Sequence, residues 1–219
     1  MKQMNTWALT IALLAMQAAC TQESLKGEGE NKVETLTVQA FTQVHLSGLR
    51  EAEIIPSNDY KVEISGYENL VERFETKSEN GHLHFRYTEN PLVKNDNIRL
   101  KIFTPSLKNI YQSGNTKVKI ASGFNWDVLQ LLMSGTSEVE FAGGNAETLR
   151  VEASGNASIK ARSLETKAAN IRVSGNVRAE VSPFEYLLVE GSGSAHVYYW
   201  GTPPSVDVRT TGTARVLRQ

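Results

Sequence analysis

Apolar and polar residues alternate along most of this chain, and the alternation comes in repeated phrases. Val151-Glu152-Ala153-Ser154-Gly155-Asn156 and Ile171-Arg172-Val173-Ser174-Gly175-Asn176 are one phrase written 20 residues apart. The phrase recurs at Ser113-Gly114, Ser134-Gly135, Ser192-Gly193 and, with Thr211, at Gly212, with successive spacings of 18 to 21 residues. Three residues before each Ser or Thr stand Ile110, Leu131, Val151, Ile171, Val189 and Val208, all aliphatic. Five residues after it stand Val118, Val139, Ile159, Ala179, Val197 and Val216. Seven after it stand Ile120, Phe141, Ala161, Val181 and Tyr199, until Arg218 breaks the column. A period of two is the strand signature, because successive side chains point to opposite faces. Each repeat therefore predicts a short strand, a tight corner at the Ser-Gly pair and a second short strand. Glycine suits the corner because it reaches φ > 0 without steric cost. The Asn, Thr or Ser that follows it can bond the turning backbone.

A repeat of about 20 residues with two or three strands predicts one turn of a solenoid. Equivalent strands of successive turns then lie parallel, roughly 4.8 Å apart, with the aliphatic columns stacked inside. Each buried aliphatic side chain contributes about 1.5–3 kcal/mol, too little for one turn to stand alone, so several must stack. An antiparallel sandwich also has many short strands, but it does not require the same residue type at the same point of every turn. A leucine-rich repeat would need an Asn-centred leucine signature that is missing. The fold class expected is all-β, a single solenoid domain over residues 34–219. Residues 33–105 repeat less strictly: Val44 to Gly48 and Val62 to Gly66 carry the phrase, and Leu83, Phe85 and Tyr87 alternate after Asn80-Gly81. This region is expected to be a modified N-terminal cap, with hairpins closing an edge that would otherwise invite aggregation.

The N-terminus carries a different pattern. Lys2 precedes an apolar run from Trp7 to Met16, then Ala18-Ala19 and Cys20, the chain's one cysteine. A run this short does not span a bilayer. A charged start, an apolar core and small residues predict a secretory signal over residues 1–19. Ala18-Ala19-Cys20 resembles a bacterial lipobox, with Gln17 where Leu is usual, so Cys20 is the expected lipidation site. Residues 20–33, polar and charged, are expected to be a tether between the lipid and the folded domain. Acyl chains would then hold the protein on a membrane. The expected address is the outer membrane or cell surface, with a periplasm-facing placement as the alternative. Composition narrows the partners further. A formal net charge of -1 supplies no basic field for nucleic acid, and one cysteine excludes an intrachain disulfide.

Little catalytic chemistry is legible. The chain has only Asp59, Asp96, Asp127 and Asp207 as aspartates, none at a recurring repeat position. Glu152, Arg172 and Glu190 fall at the same point of successive repeats and predict a charge-alternating ladder rather than a catalytic row. His82 and His84 lie on one strand face, where they could ligate a metal, but a solvent-facing strand is the simpler reading. No cofactor and no metal are expected. The recurrent Ser has no recurrent His partner, so nucleophilic catalysis has no support. Tyr198 and Trp200 flank the inward Tyr199 and should point outward, where they could stack on a sugar or seal an interface. The alternative is that they pack as a cap under Pro203-Pro204.

Several stretches together resemble a known family. "VEISGYENLVERFETKSENGHLHFRY", "IRLKIFTPSLKNIYQSGN", the serial Ser-Gly turns and the closing "VYYWGTPPSVDVRTTGTARV", with Tyr199, Gly201 and Pro203, look like DUF2807, described as the head GIN domain of auto-transporter adhesins. The resemblance covers roughly residues 36–217. It implies a right-handed parallel β-helix-like fold and an envelope protein of Bacteroidetes. Its turns differ from the family's acidic style, since Asn156 and Asn176 follow Gly with no acidic residue after them. The expected function is non-enzymatic binding, adhesion or surface assembly, with a glycan, a protein or a second copy of the chain as partner. The competing expectations are a polysaccharide lyase or hydrolase on the same scaffold, and a periplasmic accessory subunit.

Overall fold

A computed structural model of the chain describes residues 24–219. The fold is all-β apart from a single helical turn at Glu68–Val71. In chain order the strands are β1 (Ser24–Lys26), β2 (Asn31–Thr37), β3 (Gln43–Ser47), β4 (Glu51–Pro56), β5 (Lys61–Tyr67), β6 (Phe74–Glu79), β7 (His82–Tyr87), β8 (Leu92–Lys94) and β9 (Arg99–Thr104). There follow β10 (Asn109–Ser113), β11 (Asn115–Ile120), β12 (Asn125–Met133), β13 (Thr136–Phe141), β14 (Gly144–Gly191), β15 (His196–Tyr199), β16 (Ser205–Thr210) and β17 (Arg215–Arg218). Fifteen of them form one mixed, mostly parallel sheet, whose path has two ends and does not close into a barrel.

The register of that sheet follows the sequence columns. Val44, Ile110, Leu131 and Val151 are successive partners across β3, β10, β12 and β14. Ala52, Val118, Val139 and Ile159 are partners across β4, β11, β13 and β14. Ala179, Val197 and Val216 continue the second column to the last strand. Val151, Ile171 and Val189 are each at most 1% exposed. Like residues thus meet like residues from repeat to repeat, and a continuous aliphatic core results. The residues just inside each corner are small or slender: Thr116, Ser137, Ala157, Val177, Ala195 and Ala214 are all buried there.

The N-terminal region supplies the antiparallel part. β2 pairs antiparallel with β5, β5 with β9, and β6 with β7. The cap expected from the weaker repeats is therefore two antiparallel units fused to a parallel stack, with β3 and β4 already in register with β10 and β11. The segment expected as a tether differs from Ser24 onward. β1 pairs parallel with β8, Leu25 is buried, and β2 begins at Asn31. One leucine in a polar stretch is enough to seat a three-residue strand when its backbone finds an unpaired neighbour. At the other end, β16 pairs only with β14 and β17 only with β15. Val206, Val208 and Leu217 on these last strands are about 40% exposed.

The corners explain the glycine column. Gly114, Gly135, Gly155, Gly175, Gly193 and Gly212 all have positive φ, between 72° and 88°. A Cβ on Gly155 would lie 2.7 Å from the Gly135 carbonyl oxygen, and one on Gly175 would lie 2.8 Å from that of Gly155. Four of these glycine carbonyls, Gly114, Gly135, Gly175 and Gly193, accept a hydrogen bond from the next repeat: Thr136 N–H donates to Gly114 O at 2.9 Å and Asn156 N–H to Gly135 O at 2.8 Å. Gly48 has the same positive φ but open space around its Cβ position. The two positions separate conformation from contact. Gly155→Ala is expected to lower stability by about 2–4 kcal/mol, from the left-handed penalty plus overpacking, and Gly48→Ala by about 1–2 kcal/mol. Urea denaturation of both variants checks this; equal losses would show that the contact is unimportant.

Candidate functional site

Two residues before each Ser-Gly corner, one side chain per repeat points outward. These positions fall in line, and His84 on β7, which precedes no such corner, extends the row: His84, His45, Tyr111, Leu132 and Glu152 are successive register partners on β7, β3, β10, β12 and β14. Within and beyond β14 the row continues with Arg172, Glu190 and Arg209. The row changes character along its length, from imidazole and phenol through leucine to alternating acid and base.

This row forms the floor of a groove of about 620 Å³, from His45 past Tyr111, Leu132 and Glu152 to Glu190. Ser113, Ser134, Ser154 and Ser174, four serines of the expected turn ladder, form its wall together with Ser47. The serines thus do more than turn the chain. Ser113 Oγ donates to Ser47 Oγ at 2.8 Å, and hydroxyls along a wall offer both donors and acceptors. Behind the wall, Gln112 is buried, and its Nε2 donates to the carbonyls of Thr116 and Glu138 at 2.8 and 2.7 Å. That clamp holds the corner from inside, and no column in the sequence announces it, because the neighbouring residues in its column are Leu46 and Met133.

At the polar end, Arg172 Nε donates to Glu190 Oε2 at 2.7 Å and Arg209 Nη1 to Glu190 Oε1 at 3.3 Å. The Arg172 hydrogen bond holds the Glu190 carboxyl below the ordinary glutamate range, with the charges of Arg172 and Arg209 adding to it. Glu152 adds a further attraction on Arg172. Of the expected Glu152, Arg172 and Glu190 ladder, Arg172 and Glu190 are ion-paired, and Arg209 extends the alternation beyond it.

At the other end, three of the chain's four histidines meet. β3 runs beside β7, so His45 pairs with His84 and Gln43 with His82. His45 Nε2 and His82 Nδ1 are 2.9 Å apart. The His45 ring stacks on His84 with centroids 4.1 Å apart and on Tyr111 at 4.2 Å. Burial, followed by the neighbouring charges of His84 and His82, pushes the His45 pKa down to about 4. Sequence reasoning placed His82 and His84 on one face and missed His45, 37 residues away from His82, because only the strand pairing joins them.

Tyr198 and Trp200 are half-buried. The Arg178 guanidinium lies 4.3 Å from the Tyr198 ring centroid, and that of Arg162 lies 4.7 Å from the Trp200 ring centroid. Each ring therefore already carries a cation. Cys20 lies outside the described residues. Among those residues, no helix is long and apolar enough to cross a membrane.

Residues 40–203 match the family described as "Putative auto-transporter adhesin, head GIN domain", DUF2807. The chain belongs to DUF2807. Solved structures share the fold of this DUF2807 chain. A "putative adhesin" of Bacteroides fragilis is 16% identical with a TM-score of 0.76, covering 89% of this chain and 100% of its own. A "putative adhesin" of Parabacteroides merdae is 17% identical with a TM-score of 0.60, covering 90% and 99%. A "Putative lipid binding protein" of Parabacteroides distasonis is 15% identical with a TM-score of 0.56, covering 90% and 100%. No curated protein matches the chain.

The groove's electrostatics can be tested directly. Arg172→Ala is expected to raise the Glu190 pKa toward the ordinary glutamate value, read by carboxyl-carbon NMR. Because the folded pKa is depressed, the contribution of Glu190 to stability is present above the ordinary value and is lost as pH falls through the folded one. That loss should shrink in the variant.

Proposed function

We propose that this DUF2807 chain is an exported, lipid-anchored binding protein that holds an extended, hydroxyl-rich ligand of the glycan class along its groove, without chemical turnover. On this reading residues 34–219 are one right-handed parallel β-solenoid, with each repeat one coil. Residues 1–19 are a signal removed on export, and Cys20 carries the acyl chains that hold the coil on the outer membrane or cell surface. The observation that carries the reading is the groove itself: a straight row of outward side chains, one per repeat, walled by hydroxyls. The adhesin description of the family supports it.

The ladder's chemistry favours binding over catalysis. General acid catalysis needs a carboxyl protonated near working pH. Glu190 is instead held ionised by Arg172, which suits it to accept hydrogen bonds from a bound hydroxyl. The groove is also a better site than Tyr198 and Trp200, because those rings already have guanidinium groups against them.

On a glycan array, Glu152→Ala combined with Arg172→Ala should abolish binding, while Tyr198→Ala combined with Trp200→Ala should leave it. Loss only in the aromatic pair would move the site there, and unchanged binding in both would remove the glycan reading. New reducing ends or unsaturated sugar products on incubation with polysaccharides would show an enzyme instead. Palmitate labelling of cells expressing the chain should disappear in Cys20→Ala; labelling that persists would refute the anchor.

A further inference from the structure

We infer that His45, His82 and His84 form a binding site for a divalent transition-metal ion of the zinc class. One ligand nitrogen from each of the three rings lies within 4.8 Å of the others. An all-imidazole set suits Zn²⁺, Cu²⁺ or Ni²⁺ rather than Ca²⁺ or Mg²⁺, which require oxygen. Three protein ligands with a fourth position left to water is the pattern of an open zinc site.

The distances are close to what a metal needs. A tetrahedral ion with Zn–N bonds of about 2.0–2.1 Å holds two ligand nitrogens roughly 3.3 Å apart. His45 Nε2 and His82 Nδ1 stand at 2.9 Å with one proton between them. Replacing that proton with an ion asks the rings to part by a few tenths of an ångström. His84, whose ring stacks on that of His45 at 4.1 Å, keeps one ring nitrogen within 4.8 Å of a ligand nitrogen of each of the other two.

The surroundings supply the outer contacts that such ligands use. Gln43 lies 3.0 Å from His82 Nε2, and its other amide atom faces Asn109 and the Tyr111 hydroxyl at 3.0 and 3.1 Å. Amide oxygen and nitrogen are alike in shape, so this group of side chains can be satisfied in either direction. Turned one way, Gln43 donates to His82 Nε2, and His82 keeps its proton toward His45. Turned the other way, Gln43 accepts from His82 Nε2–H, leaving Nδ1 free to ligate. An outer-shell acceptor behind a ligating histidine is the usual support for one. Lys77 and Glu79, on the strand beside His82 and His84, hold each other at 2.7 Å.

The site does not depend on the groove's ligand, although His45 is common to both. The test uses the full chain in detergent, without a polyhistidine tag and stripped with chelator. Calorimetric titration with Zn²⁺ should show one ion per chain, and Co²⁺ should give the visible absorption of a nitrogen-ligated tetrahedral ion. His45→Asn and His82→Asn should each weaken Zn²⁺ by at least about tenfold, and Gln43→Leu by roughly 10–100-fold. His196→Asn, at the remaining histidine, should leave it unchanged. Circular dichroism of the metal-free variants checks that they fold. Absence of binding at micromolar protein, or binding that survives the double His45→Asn, His82→Asn variant in folded form, would overturn the site.

Discussion

Backbone touches backbone at the corners of this fold, and the rest of the structure depends on that approach. Carbonyl oxygens of Gly114, Gly135, Gly155, Gly175 and Gly193 sit 2.7–3.0 Å from where the next glycine would carry a Cβ. Only glycine permits both this distance and the left-handed turn. Once the corners stack, strands on either side of them fall into parallel register without further instruction. The aliphatic columns then bury one another, and the outward residues form rows. A side chain at one corner would push two repeats apart and weaken the hydrogen bonds that glycine carbonyls such as Gly114 and Gly135 accept from the next repeat.

Much of this is legible in the sequence because the repeat writes it out many times. Identical stacking demands identical residue types, so the columns through Val151 and Ile159 appear in the text as in space. The cap is legible only as a loss of rhythm, because antiparallel partners such as β2 and β5 match by hydrogen bonding and not by residue type. Leu25 escapes notice for a related reason: one apolar residue among charges has no period. The groove is half legible. Its charged end reads directly from Glu152, Arg172 and Glu190, which share a column. Its histidine end does not, because His45 and His84 lie in different kinds of strand and only the β3–β7 pairing aligns them. Gln112 has no signal at all, since its two bonds go to backbone carbonyls, which carry no residue identity.

Structure and family agree on the fold class. Membership of DUF2807 sets the family, and three solved structures at 15–17% identity share the architecture. Divergence of that extent with a preserved fold is what this construction allows. Inward columns and corner glycines are constrained by stacking, whereas each outward position is free to change without disturbing the repeats on either side. The groove floor therefore combines a rigid backbone with variable chemistry.

Strand spacing has a consequence for whatever lies along that floor. Neighbouring strands repeat at about 4.8 Å, so the row from Tyr111 to Arg209 is a ruler with one mark per sequence repeat. Its marks alternate in sign through Arg172, Glu190 and Arg209. A flexible surface could adapt to chains of many periods, but a ruler cannot. A linear polymer whose own repeat is near this pitch meets the same polar environment at each unit, and one of different pitch drifts out of step within a few units.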